Sequence, residues 1–301
     1  MSKEINILCN TETGICEVPA KEIDTVQTTE AKPVRLLYFT DPICSSCWGI
    51  EPQLRKLQME YGDYFTIEYK MGGLLQSWDT YGGRDVNGPT SVAQHWDEAS
   101  AHYGMPIDGD LWIEDPLHSS YPPSIAFKAA QLQGEEKAEA FLRKLREMVF
   151  VQKKNITRWE HLLQAADSTG LKLEKFREDY EGGAKDLFEE DLALKQQLGV
   201  RGFPTLFFMD GEGSQLKIVG SKPYEKYEQA LLHLVPDAEK KQLPTSYETV
   251  LNEFSTLTLK EFAVLNNKSL EESGVIIDYL LEQQVIEKME SKNGSLYIKK
   301  D

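Results

Sequence analysis

Cys44 and Cys47 enclose Ser45-Ser46 in the stretch "YFTDPICSSCWGIEPQLRKL", at the point where an apolar run gives way to helical spacing. Cysteines at this spacing support three chemistries: a dithiol–disulfide couple, half of a metal site, or two small buried residues. A thiolate at a helix N-terminus faces unpaired backbone N–H groups and the positive end of the helix dipole, which lowers its pKa and keeps it reactive near neutral pH. The spacing therefore places Cys44 at that end with its sulfur facing solvent. Cys47, nearly one turn further in, is expected to be more buried and positioned to attack a mixed disulfide. A structural zinc site needs four ligands, usually a second C-x-x-C or a pair of histidines. Here Cys9 and Cys16 have six residues between them and the five histidines are scattered, with His95 and His102 sharing a predicted helix that offers no cysteine. Neither a metal nor a cofactor is expected.

The elements that position the pair follow from periodicity. "VRLLYFT" from Val34 is an apolar run of strand length, suited to burial on both faces. Beyond the cysteines Ile50, Leu54, Leu57 and Tyr61 recur at helical spacing. "YFTIEYKMGG" reads as a second strand ended by Gly72-Gly73. From about Pro89 to Gln197 the pattern is amphipathic and helical, with breaks at Pro106, Pro122-Pro123 and Gly182-Gly183. Strands return in "PTLFFMD" and "LKIVG", and one more helix follows in "YEKYEQALLHLV". This order describes an α/β, thioredoxin-like sheet over residues 34–236 with a large helical insertion at about 88–197. Residues 1–33 read as an N-terminal arm carrying Cys9 and Cys16.

Residues 246–301 show three helical patterns, a Lys-Asn-Gly turn and a short strand, which is the order of a small winged-helix-like module behind the charged linker "VPDAEKKQLPT". Its third helix, "LEESGVIIDYLLEQQ", carries Glu and Asp with no Lys or Arg to meet phosphate, so it suits docking of a protein client better than DNA. The whole chain points the same way. A net charge of -16 over 301 residues repels nucleic acid and anionic membranes. With no apolar stretch of signal-peptide or bilayer-spanning length, the chain reads as cytoplasmic, where thiols are kept reduced.

"DPICSSCWG" (Asp41 to Gly49), the helical block after it and "GVRGFPTLFF" (Gly199 to Phe208) resemble the DsbA-like thiol–disulfide oxidoreductases of the thioredoxin superfamily, in particular the FrnE-like cytoplasmic branch. The resemblance covers roughly Val34 to Val235. It implies that Cys44 attacks a protein or small-thiol disulfide, that Cys47 resolves the intermediate, and that Pro204, joined to Phe203 by a cis bond, aligns the substrate chain. Trp48, next to Cys47, could rim a substrate groove or fill the core, and the same two readings apply to Trp78, Trp96 and Trp112. Asp41 suits a local turn as well as a catalytic role.

A narrower similarity, carried by "FVQKKNIT", "SIAFKAAQLQG" and the length with its C-terminal extension, is to the SpxH/YjbH proteins. These DsbA-like relatives present a client to the ClpXP protease, and their thiols are not reliably required. Two readings stand: a cytoplasmic dithiol–disulfide oxidoreductase or isomerase, and an adaptor. Retention of both cysteines and of Gly-Phe-Pro-Thr favours the first. Ser45-Ser46, with neither His nor Pro, leaves the direction of redox poise open. Cys9 and Cys16, with turn-forming Asn10, Thr13 and Gly14 between them, are expected to form a second redox pair or to exchange with the first; incidental cysteines on a tail are the other reading.

Overall fold

A computed structural model describes residues 8–10, 15–17, 32–81, 88–243 and 247–300. The larger sheet contains β1 (Leu8–Asn10), β2 (Ile15–Glu17), β3 (Val34–Thr40), β4 (Phe65–Met71), β5 (Thr205–Asp210) and β6 (Gln215–Val219), in the order β1-β2-β6-β5-β3-β4. β3 pairs parallel with β4 and antiparallel with β5, and its near-continuous apolar run covers both faces, Leu36 and Tyr38 packing into one core cluster and Leu37 and Phe39 into another. Residues 1–33, expected as an arm, contribute β1 and β2, a hairpin laid antiparallel on β6. Their pairing satisfies an edge strand that would otherwise present unpaired backbone groups.

The helical stripe after the cysteines forms two helices, α1 (Ser45–Gly49) and α2 (Glu51–Tyr61). Pro52, in the first turn of α2, has no N–H with which to continue the ladder across Ile50. Leu54, Leu57 and Tyr61 are nevertheless buried as their spacing predicts.

The insertion comprises α3 (Pro89–Tyr103), α4 (Leu111–Glu114), α5 (Tyr121–Gln131), α6 (Glu135–Phe150), α7 (Trp159–Ser168), α8 (Leu173–Glu181) and α9 (Ala184–Gln197). Pro122-Pro123, read as a break, lies in the first turn of α5, where a missing N–H costs nothing. α10 (Tyr224–Leu234) then packs back against α2 and β5.

The C-terminal unit runs α11 (Tyr247–Glu253), β7 (Thr256–Thr258), α12 (Leu259–Leu265), α13 (Leu270–Glu282), β8 (Ile286–Ser291) and β9 (Gly294–Lys299), with strand order β7-β9-β8. Helix, strand, two helices and two strands is the winged-helix-like order. β7 and β8 were not legible as strands, since "TLT" is too short and "IEKMES" is mostly exposed. Thr258 with Glu261 and Ser269 with Glu272 form capping boxes that start α12 and α13.

This unit does not hang from its linker. Leu296 belongs to the main core, Asn293 Nδ2 donates to Asp97 (2.6 Å) and to the Ile107 carbonyl (2.8 Å), and Lys292 pairs with Asp97 and Asp110 at 2.7 Å each. The linker is fixed too, by Lys241 N–H to the Glu60 carbonyl (2.9 Å) and Lys240 to Glu60 (3.1 Å).

Candidate redox site

β3 ends at Thr40, and the chain turns through Asp41 to deliver Cys44 as the N-cap of α1, where its Sγ accepts the Cys47 N–H at 3.3 Å. Asp41 closes this turn. Its Oδ1 accepts the Ile43 N–H (3.1 Å), while Oδ2 accepts the Leu74 N–H (2.7 Å) and the Ser120 hydroxyl (2.8 Å). Burial nevertheless pushes its carboxyl up to about 6, against those hydrogen bonds and Arg146. Asp41 is therefore a fully buried acid that ties the cysteine loop to the β4 exit and to α5.

Both cysteines are buried, Cys44 at 6% exposure and Cys47 at 0%. The order of exposure follows the helix register, but Cys44 does not open onto solvent. Burial pushes the Cys44 thiol well above its ordinary value, reinforced by its hydrogen bond with Cys47, the charge there and the charge on Asp41. Burial also opposes ionisation of Cys47, yet the Cys44 thiol, the Arg146 cation and the Thr40 hydroxyl together bring Cys47 below the usual cysteine value. Ionisation of the reduced pair is thus favoured at Cys47 over Cys44, the reverse of the sequence expectation. The reasons are physical: the Cys44 thiol donates to Cys47, and Arg146 adds a full charge only 1% exposed, whereas α1 has only five residues and a correspondingly weak terminal field.

Arg146 was not legible as a site residue from chemistry alone. Its Nη2 donates to Thr40 Oγ1 at 2.6 Å, and its Nη1 pairs with Glu51. One signal was present in the sequence: Leu142, Arg146 and Phe150 follow at four-residue steps on α6, which puts a charge on the apolar stripe.

Trp48 does not rim a groove. It is fully buried, stacked on Phe150 with centroids 5.7 Å apart, its Nε1 donating to the Pro106 carbonyl (3.1 Å) and its ring lying 4.4 Å beneath the Arg143 guanidinium. Trp96 and Trp112 are likewise buried. The Phe203–Pro204 peptide is cis. The β3–β5 register pairs Phe39 with Thr205, so Pro204 falls opposite Thr40 at the start of the cysteine turn. Phe203 covers Gly72, where a Cβ would lie 2.0 Å from its ring, and Lys195 lies 5.4 Å from the ring centroid. Among the described residues no group of His, Cys, Asp and Glu side chains is arranged to hold a metal. Nor is any helix there long and apolar enough to cross a membrane.

The thioredoxin family profile matches residues 37–229. The chain is 35% identical to the ClpXP adapter protein SpxH of Halalkalibacterium halodurans over 96% of each chain. The chain belongs to the SpxH family, within the thioredoxin fold. SpxH of Bacillus subtilis is 33% identical over 88% of this chain and 89% of that protein. The structure of the cytosolic disulfide reductase DsbM of Pseudomonas aeruginosa superposes with a TM-score of 0.52 at 22% identity, covering 97% of DsbM but 67% of this SpxH-family chain. That likeness shows the fold and leaves a third of the chain unmatched.

Proposed function

We propose that the chain is an adaptor that delivers a protein client to the ClpXP protease, which places it in the cytoplasm. The observation that carries this reading is the match to SpxH proteins from end to end, C-terminal unit included. The burial of both cysteines agrees with a role in which they need not meet a substrate. The test is client turnover: cellular protein half-lives are compared between strains with and without this chain, each with and without ClpXP. A protein stabilised by loss of either component alone is expected. If no half-life changes on loss of the chain, the adaptor reading fails.

The docking surface assigned to the client is the outer face of α13. Val275 and Tyr279, one turn apart, are 68% and 51% exposed, and Glu271, Asp278 and Glu282 surround them with no basic residue on the helix. An acidic rim around an exposed apolar centre suits a basic segment carrying apolar anchors. Asp278→Lys with Glu282→Lys, and separately Val275→Ala with Tyr279→Ala, are each expected to slow client degradation at least about tenfold. Exposed changes of this kind shift stability by only about 0.5 kcal/mol. Wild-type degradation rates in both pairs, with the fold intact, would remove α13 as the docking face.

A second reading is favoured by the Cys44–Cys47 geometry: thiol–disulfide exchange, with Cys44 meeting the substrate, Cys47, whose thiolate Arg146 favours, resolving, and Phe203-Pro204 aligning the substrate chain. Insulin reduction in glutathione buffer measures it. Cys44→Ser is expected to abolish turnover, and Cys47→Ser to accumulate mixed disulfides, while client delivery stays within about twofold in both. Loss of delivery in the serine variants would instead make the thiols part of the adaptor mechanism.

A further inference from the structure

We propose that Cys9 and Cys16 close into an intramolecular disulfide, a second redox centre built on the hairpin at the sheet edge and chemically separate from Cys44 and Cys47. The backbone carries this. β1 and β2 pair antiparallel with Cys9 directly opposite Cys16. Directly opposed residues of an antiparallel pair lie about 4.5 to 5.5 Å apart at Cα, whichever type of pair they form. A disulfide accepts about 4.4 to 6.8 Å, so this register suits one without backbone movement.

The register also decides which partners the pair has. Cys16 is opposite Lys217, Lys217 is opposite Phe207, and Phe207 is opposite Leu37, which places all five positions in one cross-strand row on one face of the sheet. Leu37 and Phe207 belong to the core cluster formed with Phe39, Val200 and Met209. Leu36, Tyr38 and Phe208, on the other face, share a cluster with Cys44 and Cys47. The two cysteine pairs are therefore on opposite faces, and exchange between them within one molecule is blocked by the sheet. The register thus gives Cys16 a basic residue, Lys217, as its neighbour in the row, and a cation at that position favours a thiolate.

With the first pair out of reach, the oxidant is a low-molecular-weight disulfide such as oxidised glutathione. The Cys16 thiolate attacks one sulfur of that disulfide, forming a mixed disulfide and releasing one glutathione thiolate. The Cys9 thiolate then attacks the Cys16 sulfur, forming the Cys9–Cys16 bond and releasing the second. Two electrons pass to the glutathione disulfide, and the two thiol protons are taken up by the released thiolates. The proposal is independent of the adaptor reading.

The test equilibrates the full-length chain in glutathione buffers of increasing oxidised fraction, quenches it by alkylation and maps linkages by mass spectrometry. A Cys9–Cys16 link is expected in the wild type and undiminished in the Cys44→Ser/Cys47→Ser double variant. Lys217→Gln is expected to slow alkylation of reduced Cys16 about threefold while leaving Cys9 unchanged. Three results overturn the proposal: both cysteines recovered as free thiols in oxidised glutathione alone, links from either of them to Cys44, Cys47 or another copy, or stoichiometric zinc that protects both from alkylation. An unchanged Cys16 rate in Lys217→Gln overturns the activating role given to that row.

Discussion

Glu261→Ala is expected to destabilise the chain by about 3 to 5 kcal/mol, the range found when one partner of a buried ion pair is deleted, and to release the C-terminal unit from the rest of the protein. Glu261 is 0% exposed and sits on α12, yet its carboxylate faces the main body. Arg143 grips it with two guanidinium nitrogens at 2.7 and 3.1 Å, and Arg55 approaches to 3.2 Å. The same carboxylate accepts the Thr258 N–H at 2.8 Å in the capping box, so deletion removes a helix cap as well. Glu51 and Glu147 remain near the two arginines, which holds the loss toward the lower end of the range.

The pH dependence follows from the same contacts. Burial raises the Glu261 carboxyl, but Arg143 and Arg55 more than offset this and hold it below the ordinary carboxylate value. A depressed folded-state pKa means that the contribution is complete above the unfolded value of about 4.3 and is lost as pH falls through the lower folded value. Wild-type protein should therefore lose protection of β7 and α12 from hydrogen exchange in acid before the larger sheet opens, and Glu261→Gln should lose that acid step. Urea unfolding of Glu261→Ala within 1 kcal/mol of wild type, a margin well under the cited range, would show that the arginines are adequately paired without it.

Arg146→Met carries the other large effect, on stability and on thiol chemistry together. It leaves Glu51, which pairs with Arg146 Nη1, with only the more distant Arg143 and Arg55 at 3.8 and 3.9 Å. The expected loss is about 3 kcal/mol. It also removes a cation that favours the Cys47 thiolate, so the Cys47 pKa rises and alkylation of the reduced pair at neutral pH is expected to slow about tenfold. A second variant separates the two consequences. Arg146→Met with Glu51→Leu removes both charges, so most of the stability should return while the thiols stay slow. Equal alkylation rates in wild type and both variants would place the charge of the reduced pair elsewhere than Cys47.

What sequence reasoning reached, and where it stopped, follows from which interactions are local. The strand Val34–Thr40, the helical stripe through Leu54, Leu57 and Tyr61, and the long helical block up to Gln197 are written in hydrophobic period, and the structure has each of them. The Cys44–Cys47 spacing and the Gly-Phe-Pro-Thr string were legible because each is a short contiguous signal. The strand β8 was missed because a half-charged strand with a single buried residue has no period to read, and β1 and β2 were missed because three-residue strands exist only by pairing, β1 with β2 and β2 with β6.

The amino-acid sequence by itself determined the α/β order, the position of the cysteines at a strand-to-helix junction, and the acidic character of α13. Only the tertiary structure decided which cysteine of the pair is favoured to ionise. That depends on Arg146, 99 residues after Cys47 in the sequence, reaching Thr40 and Glu51 across the core, and on burial that no local pattern encodes for a polar side chain. Tertiary packing likewise decided between the two readings of Trp48 in favour of the core, and opposed Cys9 to Cys16 on the sheet face away from the first pair. In each case a long-range contact set the dielectric and the neighbouring charge, and with them the chemistry available to the residue.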